Sequence, residues 1–421
     1  MSTVFRSGAP PEAAARPGAA TDLLAAWRPG GFLMERRGTG IVTAGELRRI
    51  EVPEGPRQVA RAAMVADDAL AGIGIEGAVI TAALPFRGDA TAHLVIPERI
   101  MVTSISPREL DLGGARGGEA AVETGPPAGS TKRRVSPMRW RAEPFAAAYA
   151  EAVTEALSRI RAGELEKVVL ARALVADNPG IDLAALLAEL RRRDPECDLF
   201  ATPADEDGAF VGATPETLLR REGDRVVSLP HAGTAARWPD DPGRDRQAAE
   251  ALVRSAKNQR EHAAVVEAVA ETLTSHCTKL RVDPEPHLVA TATVWHLATA
   301  VRGRLRPFAP SALALAAELH PTPAVCGTPA DVAGALIARL EPASRGLYSG
   351  LVGWVDTRGD GEWAVSLRCA LITPALVRIQ AGAGIVALSQ PELEVEETEL
   401  KFRTIVDALE ACAQTAGRDP A

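Results

Sequence analysis

Short apolar runs alternate with glycine and proline between Gly31 and Ser106. GGFLMERRGTGIVTAG, GAVITAALPF and AHLVIPERIMVTSIS predict strands, and residues 57–70 predict a helix among them. Residues 113–137, rich in Gly, Pro, Ser and charge, predict an exposed loop or linker. Beyond it Ala148, Ala152, Ala156, Leu157 and Ile160 make a helical stripe, with Gly163 placed to cap its C-terminus. EKVVLARALVA follows as a strand, with Lys167, Val169, Ala171 and Ala173 on one face. Further strands read at DLFATP, GAFVGAT, DRVVSLPHAG, LYSGLVGWVD, EWAVSLRCALI and VRIQAGAGIVAL, and long helices over 245–276 and 393–411. Strands and helices do not alternate regularly, so the expected fold is α/β of the α+β kind: stacked mixed or antiparallel sheets with helices outside. The expected division is a tail at 1–22, a sheet-contributing region at 23–137, a core at 138–412 and a tail at 413–421.

Composition narrows the partners. With 46% hydrophobic and 24% charged residues over 421 positions, the chain can bury a large core. A net charge of −8 argues against nucleic acid as the main partner. An acidic chain that binds an acidic small molecule must supply positive charge locally, from single Lys, Arg or metal sites. The five cysteines are scattered without a CxxC pair, which reads as free thiols in a reducing cytoplasm. No run of about 18 apolar residues is present to span a membrane. The first twenty residues lack the apolar core of a signal segment, so a cytoplasmic location is expected.

Several positions break the apolar pattern. Lys167 shares a strand face with Val169 and Ala171. It reads either as a lysine snorkelling to solvent or as a partly desolvated base of lowered pKa. Glu216 follows Pro215 after a strand, as a turn-opening acid or a functional one. Asn258 and Glu261, in KNQREH, share a helix face that is either solvated or a site. Glu394, Glu397 and Lys401 line one stripe of PELEVEETELK, either as a surface ion pair or as a site for a hard cation such as Mg²⁺. The glycines of AGAGIV and of PHAGTAAR suggest either a bulge or close approach of an anion to the backbone. Arg368 lies among apolar residues in SLRCALI, facing outward or poised to grip a carboxylate.

EKVVLAR, GATPETLLRREG, PHAGTAAR, KNQREH, VWHLAT, LHPTPAVCGTP, LYSGLVGWVD, LRCALI, AGAGIV and EVEETELK occur in an order and spacing that resembles the chorismate-utilising enzymes. That group includes isochorismate, salicylate, aminodeoxychorismate and anthranilate synthases, and the likeness covers roughly residues 140–412. The resemblance implies two stacked sheets around a cleft holding chorismate and Mg²⁺. It makes Lys167 the base that activates water for attack at C2, and Glu216 the acid that protonates the departing C4 hydroxyl. It makes Glu261 and Glu397 direct metal ligands, with Glu394 close behind, reaching the ion through water. Gly233, Thr234, Ala324, Arg368, Gly382 and Lys401 resemble substrate-holding positions, and His296 and Tyr348 stand near the ring. A lysine at 167 points to water rather than ammonia as nucleophile. HPTPAVCGTP and WHLAT resemble isochorismate synthases more than salicylate synthases, which share the lysine and remain the alternative because of Tyr348. The resemblance also implies a monomer, and it leaves siderophore and quinone pathways both open.

Overall fold

The structure is a computed structural model and describes residues 22–103, 138–204 and 207–415. The linker expected at 113–137 and most of the expected tails lie outside the described residues. The last helix, Pro391–Thr415, runs beyond the expected end at residue 411.

The strands described here pair antiparallel throughout and build the two large sheets expected, with a small third sheet beside them. The first has ten strands. Its path runs Gly327–Thr328, Lys167–Asp177, Leu376–Val386, Cys369–Ile372, Gly208–Thr214, Asp198–Ala204, Leu33–Arg36, Thr39–Ala44, Arg99–Thr103, with Arg141–Glu143 also on the Lys167 strand. The second has nine, in the order Cys277–Val282, Val301–Leu305, Arg225–Ser228, Thr217–Glu222, Gly361–Val365, Leu351–Asp356, Val79–Leu84, Ala92–Ile96, Arg48–Val52. The third is a small sheet of His231–Ala236, Val294–Ala298 and His287–Ala290. Strands from residues 33–103 thus complete both large sheets.

Alternation of side chains produces the layers. Met34, Ile41, Phe200 and Phe210 of the first sheet meet Val79, Val352 and Ala364 of the second in a buried inter-sheet core. The other face of the first sheet buries Leu186, Leu190, Phe402 and Ile405 from the Leu183–Arg193 and Pro391–Thr415 helices. The other face of the second buries Ala62, Ala66, Leu313 and Leu315 from the Gln58–Gly72 and Ala312–Leu319 helices. All five cysteines are buried free thiols. No helix among the described residues is long and apolar enough to cross a membrane.

Three expected elements are split, each where the chain changes layer or direction. DRVVSLPHAG is two strands in different sheets, and so is EWAVSLRCALI. Arg368 lies at the second crossing with a left-handed φ of 47°, not within a strand. The helix expected over 245–276 is two, Pro242–Arg254 and Ala256–His276. Ser255 divides them: its Oγ accepts from the Asn258 N–H at 3.3 Å, capping the second helix.

Candidate active site

A cavity enclosing about 770 Å³ of empty space, part of it open to solvent, lies where the first sheet, the third sheet and the Ala256–His276 and Pro391–Thr415 helices meet. Glu216, Gly233, Thr234, Glu261, His296, Ala324, Tyr348, Arg368, Gly382, Glu397 and Lys401 all line it. Lys167 and Glu394 sit immediately behind this lining and reach it through partners. Lys167 Nζ donates to Glu261 Oε1 at 2.8 Å, and Glu394 Oε1 is 3.8 Å from Nζ of the lining Lys257. The expected residues therefore come from ten separate segments of the chain into one place.

Several open alternatives resolve here. The KNQREH face is not simply solvated, because Lys257, Asn258 and Glu261 line the cavity. Arg368 points inward and is 6% exposed. The Glu397–Lys401 pair, at 2.7 Å, lines the cavity, and Lys401 Nζ also donates to the Gly382 carbonyl at 2.8 Å. The glycines of AGAGIV form no bulge, since the Leu376–Val386 strand pairs with the Lys167 strand in unbroken register. At Gly384 a Cβ would stand 3.0 Å from Glu261 Oε1 and 3.0 Å from Lys167 Cε. Glycine there leaves room for the Lys167–Glu261 pair. Gly233 is different. The register shifts between Ala232 and Thr234, and Gly233 has φ 75°, so this is a bulge that needs glycine.

Electrostatics divides the lining groups. Burial drives the Glu216 carboxyl up to about 8, against the pull of Lys167, Arg368 and Lys401. Glu216 is 2% exposed, and its Oε1 has no hydrogen-bond partner. It is a neutral acid at neutral pH. Burial would raise Glu261 also, but the Lys167 ammonium, aided by Lys401 and Lys257, outweighs it and holds Glu261 below the usual carboxylate range. His296 is kept neutral by burial and then by Arg368. Arg368 Nη2 donates to its Nε2 at 3.2 Å, which assigns the proton to Nδ1, facing the Gly233 carbonyl at 3.2 Å.

The two carboxylates expected as direct metal ligands, Glu261 and Glu397, both line the cavity, with Glu394 behind them beside Lys257. Among the described residues no group of three or more His, Cys, Asp or Glu side chains is gathered to hold a metal ion. Each carboxylate has a lysine beside it: Glu261 pairs with Lys167, Glu397 with Lys401, and Glu394 lies near Lys257. The donor chemistry nevertheless fits a hard dication, because Glu261 and Glu397 present carboxylate oxygens to one cavity and Mg²⁺ needs only one or two such ligands. Burial and then repulsion by Glu397 push the Glu394 carboxyl up, a strain that a nearby cation would relieve.

A sequence profile described as chorismate binding enzyme matches residues 121–410. This chain belongs to the chorismate-binding enzyme family. Two relatives of this family enzyme match over most of their length. The isochorismate synthase DhbC of Bacillus subtilis (strain 168) is 39% identical over 338 residues, covering 79% of this chain and 80% of that one. The isochorismate synthase EntC of Escherichia coli (strain K12) is 36% identical over 356 residues, covering 84% and 86%. The crystal structure of DhbC from Bacillus anthracis superimposes with a TM-score of 0.80 at 33% identity, covering 93% of this chain and 99% of that one.

Sequence reasoning missed His231, Lys257 and Gly384 as site residues. His231 and Lys257 lie inside motifs already singled out, so position within PHAGTAAR and KNQREH was the available signal. Gly384 was grouped with Gly382 without a role, because only the fold shows which side chains pass over it.

Proposed function

We propose that this chorismate-binding enzyme is an isochorismate synthase: it adds water at C2 of chorismate and expels the C4 hydroxyl, using Mg²⁺. The observation that supports this most directly is Glu216, a buried and protonated acid with a free oxygen in the same cavity as Arg368 and the Lys167–Glu261 pair. A hydroxyl leaves poorly unless protonated, and water attacks poorly unless deprotonated. Glu216 gives its proton to the departing C4 oxygen. Lys167, once Glu261 has turned from it and its ammonium has passed a proton to solvent, takes the proton of the attacking water. The ring double bonds shift between the two positions, so one water enters as another leaves and the reaction is an isomerisation. Arg368 and Lys401, with the N–H groups near Gly233 and Gly382, hold the substrate carboxylates, and Ala324 and Tyr348 bound the ring. A Mg²⁺ ion held by Glu261 and Glu397 would neutralise one substrate carboxylate. Expulsion of pyruvate to give salicylate is not favoured, since both curated relatives described above are named isochorismate synthases.

Incubation with chorismate and Mg²⁺ followed by chromatography tests this reading. Isochorismate is the expected product, and accumulation of fluorescent salicylate with pyruvate would overturn it. Lys167→Ala is expected to lower kcat by about 10²–10⁴-fold, the usual contribution of a general base.

A further inference from the structure

His231 lines the cavity, is 5% exposed, and has no hydrogen-bond partner at either Nδ1 or Nε2. The Leu229 carbonyl approaches the ring without forming a hydrogen bond. A buried side chain with both polar atoms unbonded is unusual and calls for a physical reason.

The bulge at Gly233 is what brings His231 here. Residues 231 and 234 would face opposite sides of a regular strand. In this strand His231 stands opposite Ala298 and Thr234 opposite His296, and those two partners are two residues apart on one face. The extra residue therefore turns His231 and Thr234 to the same side. The His231 and His296 rings meet edge to face, 6.1 Å between centroids. His296 has used its nitrogens on Arg368 and Gly233, whereas those of His231 are buried without a partner.

We propose that His231 is a substrate-binding residue that hydrogen-bonds an uncharged oxygen of the ring compound, a hydroxyl or an ether oxygen, in the cavity it shares with Glu216. This rests on the function proposed above. A neutral imidazole offers one donor and one acceptor, which matches a hydroxyl. Burial keeps the ring neutral, pushing it down to about 3. Anionic groups of the ligand have better partners in Arg368 and Lys401, so the buried nitrogens of His231 are left for neutral oxygens.

His231→Leu and His231→Asn in the full chain test the assignment, with kcat and KM for chorismate measured beside the thermal midpoint of the ligand-free protein. His231→Leu is expected to lower kcat/KM roughly tenfold, mainly through KM, as for loss of one hydrogen bond. Its ligand-free midpoint is expected to stay level or rise, because two unbonded buried nitrogens are removed. His231→Asn, which keeps a donor and an acceptor, is expected to recover part of the loss. A lowered midpoint in His231→Leu marks a merely structural histidine and overturns the proposal, as does a kcat/KM within about twofold of the parent. If the parent itself leaves chorismate unchanged, the proposed function fails and this inference falls with it. If the parent makes isochorismate and both variants match it, the inference alone fails.

Discussion

Glu216 follows a strand that ends in the inter-sheet region, and burial without a partner sets its acidity near 8. A group that must donate a proton is competent only below that value. Under the proposed mechanism kcat/KM for chorismate therefore holds to about pH 8 and declines above it. Glu216→Gln is expected to lower activity by about 10²–10⁴-fold and to abolish that alkaline limb in any residual rate. A limb that persists in this variant would assign it to another group. The identity of Glu216 as a candidate was legible from GATPETLLRREG, but its protonation was not. That depends on desolvation by segments far away in the chain. Lys167 shows the same limit: its position on an apolar strand face marked it, yet its partner Glu261 lies ninety-four residues further along.

The helix carrying Asn258 and Glu261 shows what an element contributes. A continuous helix over 245–276 reads naturally from periodicity, because nothing between Arg254 and Ala256 is a glycine or proline. Ser255 nevertheless ends one helix and caps the next, accepting from the Asn258 backbone N–H and, at 2.9 Å, from its side-chain Nδ2. The cap sets the start of the helix whose first two turns face the cavity. Ser255→Ala should cost about 0.5–2 kcal/mol in denaturant unfolding, as loss of an N-cap usually does. It should also raise KM, because Lys257, Asn258 and Glu261 lose their fixed starting point. An unchanged KM would show that tertiary packing alone orients this turn. Strand splitting has a parallel cause. SLRCALI leaves one sheet and enters another at Arg368, and an apolar run cannot report which sheet each half joins.

At the scale of the whole molecule, buried titratable groups set opposing pH dependences. Burial depresses His262 and His320 to about 4 from an ordinary 6.5, so the native state binds fewer protons than the unfolded chain between those values. Their contribution to stability is therefore lost as pH falls below about 6.5. Glu216 has the reverse sign. Raised from 4.5 to about 8, it favours the fold when protonated, and that contribution disappears as pH rises through the upper value. The ranges overlap, so the thermal midpoint of the ligand-free protein should peak near pH 6.5, where the histidine slope ends, and fall towards about 8; Glu216→Gln should flatten that fall, and an unchanged alkaline slope would refute the assignment. The sequence by itself determined the family, the α+β class and the candidate residues that the fold gathers around one cavity, because these rest on ordered motifs and on polar residues placed where an apolar pattern demanded otherwise. Tertiary structure alone decided the third sheet, the bulge at Gly233, the lysine partners of Glu261 and Glu397, and the protonation of Glu216. Each of those depends on contacts and desolvation between segments that are distant along the chain, and local spacing carries no record of them.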